Sequence, residues 1–309
     1  MKIMIANLGL LGALMLSNPL VLAASKTITW RGCGISKKAF MKEAAKKYEE
    51  LYGIKIDLQG GGATKGIRTV KADLADMGGS CRHTFPQAFE KLESGLVQTV
   101  VAWDIIVPVA HPDNPLDSIT TDQIKNIITG NIHKWEQLKP GLKGSINLHA
   151  RRGEISGVGW SLREMFFDKK ESDLSNNTAK IDISKKAKIQ KSTGPVEKFT
   201  EKDPLAFGIS GISSARKRKL KILKINGHQA SIENVLAGKI PTFRPLYVVT
   251  KGPPKGEVAK FINWLLADEG QALIESQGTI SVRQGAKAGL GKLYKYWGDT
   301  KLVLNFGSL

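Results

Sequence analysis

Several sequence features that would identify an enzyme are missing from this 309-residue chain. It has no Gly-x-Ser-x-Gly elbow, no phosphate loop ending in Gly-Lys-Ser/Thr, no Cys-x-x-Cys pair and no helix with paired histidines. The corresponding hydrolase, nucleotide-binding, redox and zinc-protease chemistries are therefore not indicated. A thiol nucleophile in Gly32-Cys33-Gly34 would have no base nearby in the sequence, and the five histidines show no metal-ligand spacing. We therefore predict neither an enzyme nor a metal site or cofactor.

Acidic residues are few relative to basic ones: 28 Asp and Glu stand against 46 Lys and Arg, and the net charge is +18. Such a chain could bind nucleic acid, anionic lipid or a small anionic ligand. A hydrophobic fraction of 41% and a charged fraction of 24% are typical of a folded soluble protein. The length favours two domains over one.

The first 24 residues are organised as a secretory signal peptide. Met1-Lys2 precedes a largely apolar run, Ile3–Leu22, and small residues follow, so we expect cleavage after Ala23 or Ala24. The alternative is an uncleaved membrane anchor, but polar residues and a proline interrupt the run. Beyond residue 24 no apolar run approaches membrane-spanning length. We therefore expect a soluble, exported, periplasmic protein, and export argues against nucleic acid as a partner.

Strand-like and helix-like segments alternate through the first part of the mature chain. Three strand-loop-helix passes in succession predict a parallel sheet of the α/β class, with ligands bound at the carboxyl ends of the strands. Two apolar segments, Thr99–Ala110 and Phe243–Thr250, are predicted to be strands that cross between domains and return. The segments predicted before them are Lys26–Trp30, Lys37–Tyr52, Ile54–Leu58, Ile67–Leu74 and Ala75–Arg82.

A turn rich in charge and glycine, Arg151–Trp160, leads from a short apolar segment into a helix-like one. It contains two arginines, a carboxylate, a hydroxyl and three glycines. Glycine lets the backbone approach a ligand, the first N–H groups of a helix are unpaired, and arginine offers a bidentate charged fork. The turn is therefore a candidate oxyanion site, although a solvated surface turn can have the same composition.

Taken in order, these segments resemble the phosphate-binding members of the periplasmic solute-binding proteins that serve ABC transporters. Arg152-Gly153-Glu154-Ile155-Ser156-Gly157 is similar to that family's Arg-x-Asp-Gly-Ser-Gly-Thr motif. The similar segments come in family order and are spread along the chain, so the resemblance covers nearly all of the mature chain. The other similar segments are Gly60–Val70, Ala75–Arg82, Asn114–Leu116, Gly130–Trp135, Pro204–Gly208, Arg244–Tyr247 and Phe261–Leu266.

The resemblance implies a type II periplasmic-binding-protein fold, in which two α/β lobes with mixed sheets flanked by helices are joined by hinge strands and close on one anion. Residues 25–105 and 246–309 would form lobe one, and residues 106–245 would form lobe two. Arg152 would be the charged fork, and Glu154 would hold it in place. A small anionic ligand, an ABC permease and a monomeric state are also implied. The implied ligand-binding residues are Cys33, Gly34, Thr64, Ser80, Cys81, Arg82, Arg152, Ser156 and Gly157.

The implied site departs from the family pattern by losing hydroxyl donors. Family members usually have Ser or Thr at the position of Cys33 and Asp or Ser at that of Cys81, and Val158 replaces the final Thr of the motif. Serines common in the glycine-rich segment are Gly61 and Ala63 here. Each lost hydrogen bond to a charged ligand is worth about 1.5–3 kcal/mol. We therefore expect an anion site that does not bind phosphate in the family manner.

Three interpretations of the two cysteines stay open. An even count in an oxidising compartment favours a disulfide between Cys33 and Cys81. A pair of thiols could instead recognise a soft species such as arsenite or a thiophilic metal ion, joined by His83 or His149, or the thiols could be inert. Three functions also stay open: oxyanion capture for an ABC transporter, sensing for a membrane sensor kinase that could involve a thiol-reactive species, and an exported structural or redox role.

Overall fold

The structure is a computed structural model that describes residues 27–151, 155–177 and 179–295. The predicted signal peptide, residues 1–24, lies outside the described residues, as do Arg152 and Glu154 of the predicted turn. The described part of the chain is a mixed α/β fold with helices flanking a curled sheet. The predicted fold class is therefore confirmed.

Strands occur along the whole described chain, and most of them join one sheet. They are β1 Thr27–Gly32, β2 Lys55–Gly60, β3 Met77–Ser80, β4 Leu96–Ala110, β5 Ser118–Ile119, β6 Asn147–Arg151, β7 Lys188–Gln190, β8 Ala206–Gly211, β9 Lys221–Ile222, β10 Lys224–Ile225, β11 Phe243–Lys251 and β12 Ile280–Ser281. The main sheet has the order β2-β1-β3-β11-β4-β8-β6-β7, and β9 and β12 also pair with β4. Strands β5 and β10 form a separate pair.

Helices connect the strands. They are α1 Gly34–Ser36, α2 Lys42–Tyr52, α3 Ala63–Lys71, α4 Glu90–Glu93, α5 Thr121–Thr129, α6 Gly157–Phe167, α7 Glu171–Ser175, α8 Thr193–Thr200, α9 Ile212–Ala215, α10 Ile232–Leu236, α11 Gly256–Leu266, α12 Asp268–Ser276, α13 Val282–Lys287 and α14 Leu290–Leu293. A π-helical turn, Lys37–Met41, joins α1 to α2 into one continuous segment, and Trp135–Gln137 is a 3-10 turn. Among the described residues, no helix is both long enough and apolar enough to cross a membrane.

Strand β4 carries the chain from one half of the main sheet to the other. Every residue from Val100 to Ala110 is buried, which explains the apolar run in the sequence. The strand pairs with β11 up to Ile105 and with β8 from Ile106 onward. This change of partner falls at the predicted boundary between the lobes. The division into lobe one and lobe two stays a prediction, and we keep those names for the two ranges.

Strand directions explain why the sheet is mixed and where its functional edge lies. Strand β1 is parallel to β2 and to β3, as the strand-helix alternation predicts. Strands β4 and β11 are antiparallel, because one leads the chain out of lobe one and the other leads it back. Gly32 at the end of β1 is in register with Gly79 of β3. The loops after these two strands, which carry Cys33 and Cys81, therefore leave the same edge of the sheet.

Helix α6 begins in the charged turn and lies between the lobes. Ser156 is its N-cap, and the Ser156 Oγ accepts a hydrogen bond of 3.2 Å from the backbone N–H of Gly159. Only Met165 and Phe167 among its residues escape full burial. Burial on all faces is the pattern of a helix enclosed by other elements rather than of a surface helix. The first residue of α6, Gly157, packs against Cys81 of lobe one.

Candidate anion-binding cleft

Three helical segments begin at one point between the lobes, and two cysteine sulfurs lie there. Cys33 precedes the segment that starts at Gly34, Ala63 opens α3 and Gly157 opens α6. A Cβ built on Gly157 would lie 2.2 Å from the Cys81 Sγ and 3.2 Å from the Ala63 Cβ, so this contact requires glycine. The first N–H groups of a helix lack helical partners and carry positive partial charge. The point therefore suits a negatively charged group.

The two thiols form one buried, interacting pair. The Sγ atoms of Cys33 and Cys81 lie 2.9 Å apart in hydrogen-bonding contact, and each residue is 2% exposed. Burial opposes ionisation of Cys33, but its hydrogen bond with Cys81 and the charge of Arg244 outweigh burial and lower its pKa to about 6. The same hydrogen bond and burial raise the pKa of Cys81 well above its ordinary value. The pair therefore carries about one negative charge at neutral pH.

Arg151, the last residue of β6, brings a guanidinium group to the same point. Its Nη1 donates to the carbonyl oxygen of Gln190 at 2.8 Å, and its Nη2 lies 3.4 Å from the place a Cβ would occupy on Gly62. Gly62 is the N-cap of α3 and has φ 98°, a conformation that glycine adopts freely. Burial lowers the pKa of Arg151, while the charges of Cys81 and Cys33 raise it. One nitrogen of the guanidinium is thus held by the protein, and the other faces the start of α3.

A second guanidinium group, that of Arg244 on β11, is buried beside the thiols. Its Nη1 donates to the carbonyl oxygen of Cys81 at 3.1 Å and to the Ser161 Oγ at 2.8 Å, and its Nη2 donates to an Asp104 carboxylate oxygen at 3.3 Å. Burial opposes the charge of Arg244, but the charges of Cys81, Asp104 and Cys33 raise its pKa. Arg244 therefore stays charged, links the hinge strands to α6, and adds positive potential at the sulfur pair.

The sequence of this chain matches the model of a known protein family. The family model described as a PBP superfamily domain matches residues 32–269, more than half of the chain. This chain belongs to the PBP superfamily. The family predicted from the ordered sequence segments is thereby confirmed.

Several relatives of this PBP superfamily member are named as phosphate-binding proteins. It is 26% identical over 261 residues to the phosphate-binding protein PstS of Bacillus subtilis, an alignment that covers 84% of this chain and 82% of the relative. It is 25% identical over 198 residues to the phosphate-binding protein PstS of Borreliella burgdorferi, which covers 63% of this chain and 69% of the relative. Both alignments span most of the relative's length.

Solved structures of the superfamily share the fold. A Clostridium perfringens protein assigned as the substrate-binding protein of a phosphate ABC transporter, solved with bound phosphate, aligns with a TM-score of 0.70 at 24% identity. That alignment covers 83% of this chain and 99% of the other. An ABC-type phosphate transport receptor from Vibrio cholerae aligns with a TM-score of 0.61 at 22% identity, covering 83% and 100%. At these identities the structures establish the fold alone.

Arg82 is engaged in hydrogen bonds within this PBP superfamily member. Its guanidinium group donates to both carboxylate oxygens of Glu93, to the carbonyl oxygens of His83 and Ile155, and to the Thr64 hydroxyl. The Arg82 and Glu93 side chains are 0% exposed. Five hydrogen bonds to described residues use the donors of the guanidinium. Arg82 therefore fastens lobe one to the turn before α6, and the expectation that it also binds the ligand stays a prediction.

Two hydroxyl groups expected to bind the ligand are also engaged within the protein. The Thr64 Oγ1 donates to the carbonyl oxygen of Ile155 at 2.6 Å and so joins α3 to lobe two. The Ser80 Oγ donates to the carbonyl oxygen of Arg82 at 2.7 Å and accepts from the N–H of the same residue. A hydroxyl has one proton to donate. Neither hydroxyl therefore has a proton left for an anion in this arrangement, and ligand binding by Thr64 and Ser80 stays a prediction.

The structure brings the remaining described residues of the implied set together at the helix starts: Cys33, Gly34, Cys81, Ser156 and Gly157. The Ser156 Oγ accepts from Gly159, so its own proton is available. A Cβ on Gly34 would meet no atom within 4 Å, so the backbone there is open to approach. Their contacts with a ligand stay predictions. The same holds for Arg152 and Glu154, which lie outside the described residues.

The sequence predicts no role in the cleft for Ser36 or Arg244. It places Arg151 in the candidate turn, but the resemblance assigns the charged fork to its neighbour Arg152. Ser36 is 2% exposed, and its Oγ has no hydrogen-bond partner among the described residues. Ser36 lies three residues after Cys33, in the first turn of a helix, and a hydroxyl at that position could have been predicted to face a ligand at the helix start. No local signal marked Arg244, whose partner Asp104 is 140 residues away.

A buried carboxyl group and an imidazole meet where α6 packs on lobe one. The Glu164 Oε1 lies 3.5 Å from the His83 Nδ1, and each side chain is 3% exposed. Burial raises the pKa of Glu164 well above its ordinary value, against the opposing charges of Arg244 and Arg82. Burial and the charge of Arg82 lower the pKa of His83 to about 3. Burial thus favours the uncharged form of both groups, and this contact between the lobes does not depend on an ion pair.

Glu164→Gln is expected to stabilise the protein by at least about 1 kcal/mol at pH 7, and by less at pH 5. The folded protein keeps the Glu164 proton above the ordinary pKa of 4.5, so the wild type binds an extra proton on folding and loses stability as the pH rises. Urea unfolding of both proteins at the two pH values measures the difference. The titrations of Cys33 and His83 are common to both proteins. A stability difference that does not grow with pH would contradict the assignment.

Proposed function

We propose that this protein captures a tetrahedral oxyanion, phosphate or a related anion, in the cleft between its lobes and delivers it to an ABC permease. The observation that carries the proposal is the meeting of three helix starts beside the free side of the Arg151 guanidinium. Unpaired N–H groups and a bidentate fork are the donors that phosphate-like anions require. The Ser156 and Ser36 hydroxyls would supply neutral hydrogen bonds to the same ligand.

Capture would depend on closure of the lobes. The Thr64 Oγ1 and the Arg82 Nε both donate to Ile155, so contacts between lobe one and the start of α6 form together with the site. A closed cleft excludes water and strengthens each charge-assisted hydrogen bond. The net charge of +18 would also attract anions over a distance.

The names of the relatives support the same assignment. The two PstS proteins are called phosphate-binding, and the Clostridium perfringens structure contains phosphate. By analogy we propose a periplasmic, monomeric binding protein with an ABC permease as partner and no catalytic role. The signal peptide predicted for residues 1–24 fits this location.

A second candidate is sensing of a thiophilic species for a membrane sensor kinase, which the ionised thiol pair favours. Arsenite or a soft metal ion would bind between Cys33 and Cys81. With metal–sulfur distances of about 2.3 Å, two-coordinate binding needs sulfur atoms about 4 Å apart or more, so the observed 2.9 Å would have to widen. Within the described residues, no group of three or more His, Cys, Asp or Glu could hold a metal ion. The geometry therefore favours the oxyanion.

Calorimetry with phosphate, arsenate, sulfate and arsenite, each with and without reductant, separates these candidates. We expect a dissociation constant in the micromolar range or below for at least one tetrahedral oxyanion, because several charge-assisted hydrogen bonds form in a desolvated site. Binding of arsenite alone, and only with reductant, would favour the sensor. No heat with any of the four would contradict both.

A further inference from the structure

The sulfur pair of Cys33 and Cys81 lies where the helix starts would hold an anion. The Cys81 Sγ touches the backbone of Gly157, and the pair lies within electrostatic reach of both Arg151 and Arg244. We propose that Cys33 and Cys81 are a redox modification site that controls the cleft: the reduced pair excludes the oxyanion, and disulfide formation admits it. This proposal rests on the proposed function, because it assigns regulation to the same site.

The reduced pair competes with an anion for the same positive groups. A thiolate and an oxyanion placed in contact repel each other strongly in a desolvated site. The charged groups that face the sulfurs are Arg244 from β11, Arg151 from β6 and Asp104 from β4. With two cations close by and one carboxylate, the cleft compensates about one negative charge. A thiolate therefore neutralises the positive charge that would otherwise bind the anion.

Disulfide formation removes that negative charge without a large rearrangement. The Sγ atoms are 2.9 Å apart, and an S–S bond is about 2.05 Å long, so a contraction of about 0.9 Å suffices. Residues Gly32 and Gly79, in register on adjacent strands, hold the two loops together. The product is neutral, which leaves the Arg151 and Arg244 charges available to an oxyanion.

The oxidant is a disulfide, supplied by a small molecule or a thiol-disulfide oxidoreductase of an oxidising compartment. The Cys33 thiolate attacks one sulfur of that disulfide, its S–S bond breaks, and one thiolate leaves. Cys81 then loses its proton and attacks the Cys33 Sγ, which forms the Cys33–Cys81 bond and expels the second thiolate. The pair gives two electrons to the oxidant, which is released as two thiolates. One of these thiolates takes up the proton that Cys81 loses, and the other carries the negative charge that was on Cys33 or takes a proton from the solvent.

Access of the oxidant depends on the lobes. Both cysteines are 2% exposed, and Gly157 of α6 packs directly on the Cys81 sulfur. The first attack therefore requires the cleft to open, so that a closed protein is protected from oxidation. The thiols are expected to react only as fast as the lobes separate.

The test is calorimetry with inorganic phosphate and arsenate on two preparations of the protein. One preparation is reduced with a phosphine, and the other is oxidised with oxidised glutathione; thiol titration under denaturing conditions should find two thiols in the first and none in the second. At pH 7.5 we expect the oxidised protein to bind at least about tenfold more tightly. The titration of the anion itself affects both preparations equally, so it cancels in the ratio of the two affinities. That ratio should shrink below pH 6, because protonation of Cys33 removes the negative charge of the reduced pair.

A double variant, Cys33→Ser with Cys81→Ser, provides the matched control, with Cys33→Ala and Cys81→Ala as a second pair if serine is not tolerated. Its affinity should be the same with and without oxidant. Equal affinities of the two wild-type preparations, tighter binding by the reduced form, or failure of the disulfide to form would each overturn the redox proposal while leaving anion capture intact. Absence of binding in every preparation and in both double variants would instead overturn the proposed function.

Discussion

Replacing Arg151 by alanine is expected to lower the affinity for the oxyanion by about 100-fold or more. The Arg151 Nη1 is held by the Gln190 carbonyl, while Nη2 faces Gly62 at the start of α3, so the guanidinium is already oriented for a ligand. Each hydrogen bond from a charged donor contributes about 1.5–3 kcal/mol, and a fork makes two. Calorimetry with phosphate and arsenate, on the redox form that binds more tightly, measures the loss.

The matched comparison is Arg152→Ala, because the resemblance assigns the charged fork to Arg152. If Arg152→Ala loses binding and Arg151→Ala keeps it, Arg152 is the charged fork, as the resemblance implies. The contacts of Arg151 then stabilise the fold and do not bind the ligand. Arg216→Ala serves as a second control, since Arg216 is exposed and far from the turn in the sequence. A loss of affinity in all three variants would point to the overall charge rather than to a specific fork.

Arg82→Met is expected to destabilise the fold by about 3–5 kcal/mol, the range seen when one partner of a buried ion pair is removed. Glu93 would keep its charge in a site that is 0% exposed, with only Arg68 at 3.2 Å and the Phe85 N–H at 3.0 Å as partners. The variant also removes the Arg82 Nε bond to Ile155, so closure of the cleft should weaken as well. Urea unfolding measures the stability.

The double variant Arg82→Met with Glu93→Leu tests the cause of that loss, because it removes both charges. It should recover a large part of the stability, since an apolar pair does not leave a buried charge unpaired. Burial opposes the ionisation of Glu93, but the hydrogen bond and charge of Arg82 lower its pKa below the ordinary 4.5. The stabilisation is therefore present above pH 4.5 in the wild type and is lost as the pH falls further. A double variant no more stable than Arg82→Met would show that the packing of Arg82, not its charge, is what matters.

Much of the fold could be predicted because it depends on local pattern. The helix predicted over Lys37–Tyr52 and the strand over Thr99–Ala110 are both present, extended to residues 34 and 96. The start of α3 was predicted four residues late, at Ile67 instead of Ala63. The glycines before α3 have no side chain that could cap it, so no capping residue marked its start in the sequence. The backbone N–H of its N-cap, Gly62, donates to the carbonyl oxygen of Gly32, a contact that only the folded chain makes.

The candidate site was predicted less completely, because the direction of a side chain depends on what packs around it. A motif can place an arginine in a turn, but whether Arg82 reaches a ligand or a buried Glu93 depends on folding of both loops. The same holds for Thr64 and Ser80, whose hydroxyls found partners within the protein.

By itself the sequence determined the family, the two long apolar strands and the loops that carry the cysteines, because each depends on apolar spacing, glycine and residue order along a short stretch. Only the tertiary structure decided that Cys33 and Cys81 touch, that Arg151 and Arg244 surround them, and that Arg82 fastens the lobes. These contacts join residues far apart in the chain. They arise when parallel β1 and β3 end at one edge of the sheet and the start of α6 packs against it.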